Sequence, residues 1–158
     1  MIPADLPAAL AVADIVHPNY PEDSAIFAER LALYRQGCLA LMQADALIGY
    51  IVSHPWSYGA LPALNSLLVA LPVPPTTYYI HDIALLPEAR GSGAANDVVT
   101  RLIAHAEARG FPNLSLTAVN NSVAFWQRHG FVLTAIPALD AKLRSYDEAA
   151  RFMVRAIA

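Results

Sequence analysis

The chain has 158 residues, of which 56% are hydrophobic and 15% are charged, and its formal net charge is −3. That length predicts one domain over residues 1–158, and the absence of a basic excess argues against a nucleic-acid partner. No apolar run reaches the roughly 18 residues of a membrane span, and the start lacks a secretory signal. The single cysteine, Cys38, excludes an internal disulfide. These features together predict a cytoplasmic protein without a membrane partner.

The first half of the chain predicts two helices and a hairpin. Residues 5–13 begin with Asp and a nearby Pro, which suits a helix start. Residues 21–37 carry apolar side chains at helical spacing, and the final glycine of this segment is expected to end the helix. Residues 38–54 predict a β-hairpin. Residues 55–75 are rich in proline and predict a long connection, and long connections in compact domains are often functional.

The second half alternates strands and helices. Residues 76–86 are rich in Thr, Tyr and Ile, as expected of a strand. The elements predicted after it are a helix at 94–109, a strand at 113–119, a short helix at 121–130, and strands at 131–136 and 150–158. A strand, a helix and a strand in succession predict one parallel strand pair. The fold class is therefore α/β, with a mixed sheet flanked by helices.

The segment "LLPEARGSGAANDVV", residues 85–99, places its smallest residues where the strand ends and the helix begins. A helix start leaves backbone N–H groups unpaired, and these groups together with the helix dipole bind anions. Glycine lets a phosphate approach the backbone closely. The segment predicts a diphosphate-binding cradle made of Arg90, Gly91, Ser92, Gly93, Ala94, Ala95 and Asn96. From these residues alone, a plain strand-to-helix turn remains the alternative.

The order of strand, "LLPEARGSGAA", helix, strand and "NNSVAFWQRHGF" resembles the GNAT superfamily of acetyl-CoA-dependent N-acyltransferases. Arg90, Gly93 and Ala95 match its signature Arg/Gln-x-x-Gly-x-Gly/Ala in register, and "FWQRHGF" matches the aromatic pair before its Gly-Phe. The resemblance is strongest over residues 76–136. It implies the GNAT fold, with acetyl-CoA as acyl donor, coenzyme A as product, and an amine of a small molecule or peptide as acceptor.

The resemblance also implies where the cofactor lies. In the family, the strands before and after the cradle helix splay apart, and the pantetheine arm pairs with the backbone in the gap. The implied contacts are Ile83, Leu85 and Leu86 on one strand and Asn120, Asn121 and Ser122 beyond the other, although helix capping also explains the last three. Trp126 occupies the position of the tyrosine that usually protonates the thiolate. An indole N–H is too weak an acid for that role, so Trp126 is expected to form a packing wall.

Three residues are candidates for catalysis. Family members often carry Glu or His on strand 76–86, at the registers of Tyr79 and His81, and an imidazole suits a general base acting through water. A buried structural histidine is the alternative for His81. Asp82 would orient a neighbouring group or bind the substrate amine, but an alternating strand directs it away from His81 unless the strand bulges. With Trp126 unsuitable, Tyr146 is hypothesised to protonate the thiolate, against the alternative of a packed loop tyrosine.

The chain departs from the family at its start, where the helical pattern begins almost at once. The family's first strand is therefore expected to be missing or very short. The sequence as a whole predicts an N-acetyltransferase without a metal, acting on a primary amine. Two alternatives stay open: an acceptor that is a protein N-terminus or lysine, and a non-catalytic acyl-CoA-binding sensor of the same fold. The identity of the amine and the formation of a homodimer also stay open.

Overall fold

The computed structural model describes residues 1–157, which form one mixed six-stranded sheet with helices on both faces. The strands are β1 (Cys38–Gln43), β2 (Ala46–Trp56), β3 (Thr77–Leu85), β4 (Asn113–Ala118), β5 (Val132–Leu133) and β6 (Arg151–Ala156). The helices are α1 (Leu6–Val16), α2 (Ser24–Leu33), α3 (Ala94–Ala108), α4 (Val123–Arg128) and α5 (Asp140–Tyr146). The strand order in the sheet is β1-β2-β3-β4-β6-β5.

The pairing pattern leaves a gap in the middle of the sheet. β1 and β2 form the predicted hairpin, and β3 pairs in parallel with β4 across α3, which confirms the predicted strand–helix–strand unit. The parallel ladder joins only Tyr78–Ile80 to Leu114–Leu116. Beyond these residues, no further β3–β4 pairing occurs in the described part of the chain. A gap therefore opens at the carboxyl ends of both strands, where α3 and α4 begin.

A separate hydrophobic cluster covers each face of the sheet. Along β2, alternation sends Ile51 to one face and Tyr50 and Val52 to the other. The first cluster includes Val99 and Leu102 of α3 and Trp126 of α4. The second includes Ala9 and Val12 of α1 and Phe27 and Leu31 of α2. Because burial of each large apolar side chain contributes about 1.5–3 kcal/mol, these two clusters hold the helices against the sheet and fix the edges of the gap.

The second helix is shorter than the sequence predicted. α2 ends at Leu33, because Tyr34 leaves the helical conformation (φ −150°, ψ 71°), and Arg35–Gly37 forms a separate 3-10 turn. The expectation that the glycine at position 37 ends the helix is wrong. A Cβ on Gly37 would lie 1.9 Å from the carbonyl oxygen of Ser53, so glycine is needed there for close contact with β2.

The region after α4 also differs from expectation. The strand predicted at 131–136 is the two-residue β5 at the edge of the sheet, paired with β6. The connection that follows contains α5, which the sequence did not predict. Proline at position 137 begins a 3-10 turn that leads into α5. A proline ring fixes φ near the helical value and removes an amide donor, so it ends the extended run and favours a helix start.

The opposite edge of the sheet is formed by β1. No strand precedes α1 in the described residues, and the amino group of Met1 donates a hydrogen bond to the Cys38 carbonyl across 2.9 Å. The Cys38 side chain is buried, and burial raises the pKa of its thiol to about 11. Within residues 1–157, no helix is long and apolar enough to cross a membrane.

Candidate active site

The loop between β3 and α3 has the backbone geometry of an anion cradle. Gly91 and Gly93 have φ of +79° and +89°, which glycine adopts without strain, and α3 begins directly after Gly93. A Cβ on either glycine would meet no atom within 4 Å, so the space in front of the loop is open. In this loop, the amides of Gly91, Ser92, Gly93, Ala95 and Asn96 have no hydrogen-bond acceptor among the described residues. Five amide donors without a protein acceptor therefore lie beside open space at the start of α3.

The remaining cradle residues complete this surface. The side chain of Arg90 is exposed beside the loop, and the Ala94 amide contacts the Ser92 hydroxyl across 3.3 Å. The side-chain oxygen of Asn96 lies 3.0 Å from Nε2 of His129, at the end of α4. This contact ties the start of α3 to α4, so the cradle and the far wall of the gap are held together.

Backbone groups of β3 face the gap without a partner strand. The Leu86 amide donates to the Ile48 carbonyl of β2 across 2.9 Å. Since backbone groups alternate in direction along an antiparallel pair, Ile83 and Leu85 direct theirs away from β2 and into the gap. Leu86, also implied as a cofactor contact, has its amide directed to β2. Ile83 and Leu85 are therefore the implied residues best placed to pair with an extended ligand.

The opposite wall of the gap begins where β4 ends. Asn120 and Asn121 both have positive φ, 53° and 57°, so the chain turns sharply there. The Ser122 hydroxyl donates to the Val119 carbonyl across 2.6 Å and does not cap α4. Side-chain capping of α4 therefore does not explain the presence of serine at position 122. Asn120 and Ser122 instead line a cavity of about 130 Å³ in the gap.

Trp126 forms the floor of this cavity. Its side chain is 4% exposed and packs edge-on against Phe125 and Phe131. The same cavity is lined by Ile83 of β3 and by Asn120, so residues from both walls converge on it. An indole in this position supplies apolar surface and no acidic proton.

A bulge on β3 brings His81 and Asp82 to the same side of the sheet. β2 pairs Val52 with Asp82 and Ser53 with Ile80, so His81 is one extra residue on β3. The extra residue resets the alternation of side chains. His81 and Asp82 consequently line one cavity on the face covered by α1 and α2. The strict alternation that would separate these two side chains does not hold here.

Two histidine–carboxylate pairs occupy this cavity. Nε2 of His81 lies 3.0 Å from Oε2 of Glu22, and Nε2 of His17 lies 2.9 Å from Oδ1 of Asp82. The Tyr50 hydroxyl donates to the other oxygen of Asp82. Each imidazole is therefore oriented by a carboxylate that is itself held in place. No group of three or more His, Cys, Asp or Glu side chains in residues 1–157 is arranged to bind a metal ion.

In the pair of His17 and Asp82, each residue shifts the pKa of the other. Burial acts to lower the pKa of His17, but the hydrogen bond and charge of Asp82 outweigh burial, and the pKa is raised above 6.5. Burial acts to raise the pKa of Asp82, but the hydrogen bond and charge of His17 outweigh it, and the pKa is lowered. Nearby His54 differs, because burial and the charge of His81 lower its pKa to about 3. His54 is therefore neutral, whereas His17 and Asp82 stabilise each other's charged forms.

The sequence did not identify His17 and Glu22. Both lie in or beside the connection between α1 and α2, about which no motif gives information, and β3 follows some sixty residues later. Only the packing of α1 and α2 on the sheet places them beside His81 and Asp82.

Tyr146, the last residue of α5, lines the cavity from the far side. Its hydroxyl donates to the Pro62 carbonyl. Burial and the charge of Glu22 raise the pKa of the Tyr146 hydroxyl to about 12. The hydroxyl is thus engaged with a carbonyl and is a weak acid at neutral pH.

Residues 57–76, which connect β2 to β3, form a strap over the same cavity. The Glu29 carboxylate accepts hydrogen bonds from the Leu68 and Val69 amides, each across 2.8 Å. Arg30, which is 1% exposed, pairs with Glu29 and donates to the Ser66 carbonyl across 3.0 Å. This partly buried pair fixes the strap to α2, and Pro62, Ala63 and Leu64 of the strap line the cavity.

Comparisons with known proteins agree with this geometry. A family model described as the acetyltransferase (GNAT) family matches residues 9–131. No curated protein sequence matches the chain. Ard1 from Thermoplasma volcanium is 16% identical with a TM-score of 0.75, and the alignment covers 100% of this chain and 95% of that one.

Two further solved structures share the architecture. The GNAT-like decarboxylase GphF, solved with isobutyryl-CoA, is 15% identical with a TM-score of 0.81, covering 99% of this chain and 96% of that one. The ribosomal-protein-S18-alanine N-acetyltransferase from Escherichia coli is 19% identical with a TM-score of 0.69, covering 100% and 91%. At these identities, the likeness shows a shared fold.

Proposed function

The chain belongs to the acetyltransferase (GNAT) family, as the sequence resemblance predicted, and on that premise we propose that it transfers the acetyl group of acetyl-CoA to a primary amine. The observation that carries the proposal is the cradle of unpaired amides at the start of α3, beside the gap where β3 and β4 diverge. An acyl-CoA offers a diphosphate for the cradle and an extended amide-bearing arm for the gap.

In this proposal the cofactor spans both walls. Its diphosphate binds the amides of residues 91–96, and Arg90 adds a charge-assisted contact. Its pantetheine arm pairs with the gap-facing backbone of Ile83 and Leu85 and lies along Trp126. This path brings the thioester to the end of the gap near the bulge, beside the two histidine–carboxylate pairs.

The pair of His81 and Glu22 supports a role as general base. Glu22 holds the imidazole of His81, which takes a proton from the substrate ammonium directly or through a water molecule. The free amine then attacks the thioester carbonyl carbon. Because the bulge leaves the His81 backbone outside the ladder with β2, its amide is available to stabilise the developing oxyanion.

The acceptor would enter the cavity between the strap and the histidine–carboxylate pairs. Two carboxylates, Glu22 and Asp82, favour a cationic group there, which suits an ammonium. A small amine, a peptide N-terminus and a lysine side chain all supply that group. The single buried thiol, Cys38, fits a protein working in the reducing cytoplasm.

The test is release of free thiol from acetyl-CoA over a panel of small amines, peptides with free N-termini and lysine peptides. Cys38 is buried, so the native protein adds little background to a thiol reagent. We expect thiol release that depends on one class of amine, with the acetylated amine detected by mass spectrometry. Binding of acetyl-CoA without thiol release from any amine would favour the non-catalytic sensor. Failure to bind acetyl-CoA would refute both functions.

A further inference from the structure

Neither of the two residues considered from the sequence is suited to protonate the departing thiolate of coenzyme A. Trp126 carries only an indole N–H, and the Tyr146 hydroxyl donates to the Pro62 carbonyl. A general acid should lie close to the sulfur, at the end of the gap between β3 and β4. The acid is therefore expected to be a titratable group that contacts both walls of the gap.

His17 is such a group. Its Nε2 lies 2.9 Å from Oδ1 of Asp82 and 3.1 Å from the carbonyl oxygen of Ile83, on β3. The side-chain nitrogen of Asn120, beyond β4, donates to its Nδ1 across 3.4 Å, and in the protonated ring the Asn120 amide must turn its oxygen toward Nδ1 or leave the Nδ1–H to the thiolate. The imidazole therefore bridges the two diverging strands, and it lines the cavity that Trp126 floors.

The fold holds His17 in this orientation from several sides. It is the C-terminal cap of α1, and its amide donates to the Ala13 carbonyl across 2.7 Å. A helix C-terminus favours a positive charge on this ring. Asp82 fixes Nε2, and Tyr50 fixes Asp82 in turn. With Nε2 committed to Asp82, Nδ1 is the nitrogen left for chemistry, as in other histidines oriented by a carboxylate.

We propose that His17 is the general acid of the reaction and donates its Nδ1 proton to the thiolate of coenzyme A. This inference rests on the proposed acetyl transfer and assigns a residue to its last step. Both histidines line both cavities, and their contacts divide the roles: His81 pairs with Glu22, which lines only the acceptor-side cavity, whereas His17 contacts two residues that the cofactor is expected to touch, Ile83 and Asn120.

The proton balance closes with these two histidines. The substrate ammonium first loses one proton to His81, which passes it to solvent. The amine nitrogen forms a bond to the thioester carbon, and the carbon–sulfur bond then breaks. The thiolate takes a proton from protonated His17, and the second proton of the attacking nitrogen restores the charge of His17 through water. One amide, one thiol and one released proton result.

The environment of His17 suits an acid better than that of Tyr146. The groups that face His17 are Asp82 and the Ile83 carbonyl on β3 and Glu22 in the α1–α2 connection, and against the lowering effect of burial they raise its pKa. Tyr50 and His81 act on Asp82, whose pKa they help to lower. A phenol whose pKa is raised to about 12 gives up a proton to a thiolate only uphill, since a thiol has a pKa of about 8.5.

The test compares three variants of the full chain: His17→Gln, Tyr146→Phe, and the control His105→Gln. His105 lies near the end of α3 and contacts the Tyr34 hydroxyl across 2.8 Å, away from the gap. Glutamine retains a hydrogen-bond donor and removes the titrating nitrogen. The measurements are the single-turnover rate of acetyl transfer from pH 5.5 to 9.5, and the acetyl-CoA affinity by calorimetry.

We expect His17→Gln to lower the single-turnover rate about 10²-fold, the lower range for loss of a general acid, with acetyl-CoA affinity unchanged. The parent rate should fall at high pH as His17 deprotonates, and this descending limb should be missing in His17→Gln and present in His105→Gln. A purely structural His17 would lower the rate without removing the limb, which would overturn the proposal. The proposal would also be overturned if Tyr146→Phe lowered the single-turnover rate while His17→Gln kept the full rate. If the parent acetylates no amine, the proposed function fails instead.

Discussion

Replacing Gly93 with valine tests the anion cradle most directly. Gly93 has φ of +89° and borders open space, with no atom within 4 Å of an added Cβ. A valine side chain would fill the space in front of the unpaired amides, where the diphosphate is proposed to bind. Hydrogen bonds to charged groups contribute about 1.5–3 kcal/mol each. Loss of two of them predicts an affinity at least about 10²-fold weaker, at about 1.4 kcal/mol per factor of ten.

A matched control separates this effect from backbone strain. Gly110 follows the other end of α3, also has positive φ (+73°), and also has no atom within 4 Å of an added Cβ. A side chain in this conformation costs about 1–3 kcal/mol at either site. Both variants should therefore lose similar thermal stability, about 2–4 °C for each kcal/mol in a protein of this size.

Calorimetric titration with acetyl-CoA and thermal unfolding give the two readouts. Gly93→Val should lose cofactor binding at a temperature where it is folded, whereas Gly110→Val should bind like the parent. An acetyl-CoA affinity equal to that of the parent in both variants would refute the cradle. A shared loss of affinity would assign the effect to strain in α3 and would equally remove the support that the loop gives to the proposed function.

Three further predictions follow from the site. His81→Ala should lower kcat/KM about 10²-fold with acetyl-CoA affinity unchanged, and an unaltered kcat/KM would remove His81 from the mechanism. Cys38 should resist a thiol reagent at pH 8 in the native protein and react once in guanidinium, since its pKa is raised to about 11; a fast native reaction would contradict its burial. The raised pKa of His17 means that its stabilising share is complete below about 6.5 and is lost as pH rises through the folded value, whereas the share of Asp82 is present above about 3.8 and lost on acidification. Urea unfolding should therefore show a larger difference between the parent and His17→Gln at pH 5.5 than at pH 9, and equal differences would contradict the ion pair.

The sequence predicted those features that depend on local pattern. The strand–helix–strand unit and the hairpin follow from periodicity over short stretches. Positions 91 and 93 were predicted as cradle residues because glycine precedes a helix start there and the segment matches a family motif; both have positive φ in the structure, and their contact with a diphosphate stays a prediction. The position of Trp126 was readable because it lies within a motif.

Long-range packing was not readable. His17 and Glu22 reach the site only because α1 and α2 cover one face of the sheet, and neither belongs to a motif. The convergence of His81 and Asp82 depends on a bulge, which the strand's composition does not reveal. Gly37 was predicted to end a helix because glycine commonly follows a helix, whereas the structure requires glycine there for close contact with Ser53 on β2.

The bulge on β3 also bears on how this fold can diverge. Before the bulge, the even-numbered Tyr78 and Ile80 pack on the α3 side; after it, the odd-numbered Ile83 does so. Removal of the single codon for His81 would restore regular alternation and retain the strand order. The same topology would then lack the proposed base and would carry Asp82 in an unbroken ladder. Under the proposed function, gain or loss of one codon is a short evolutionary route between a catalytic and a non-catalytic domain of this fold, and residue-by-residue alignment across this position would mistake which side chains share a face of the sheet.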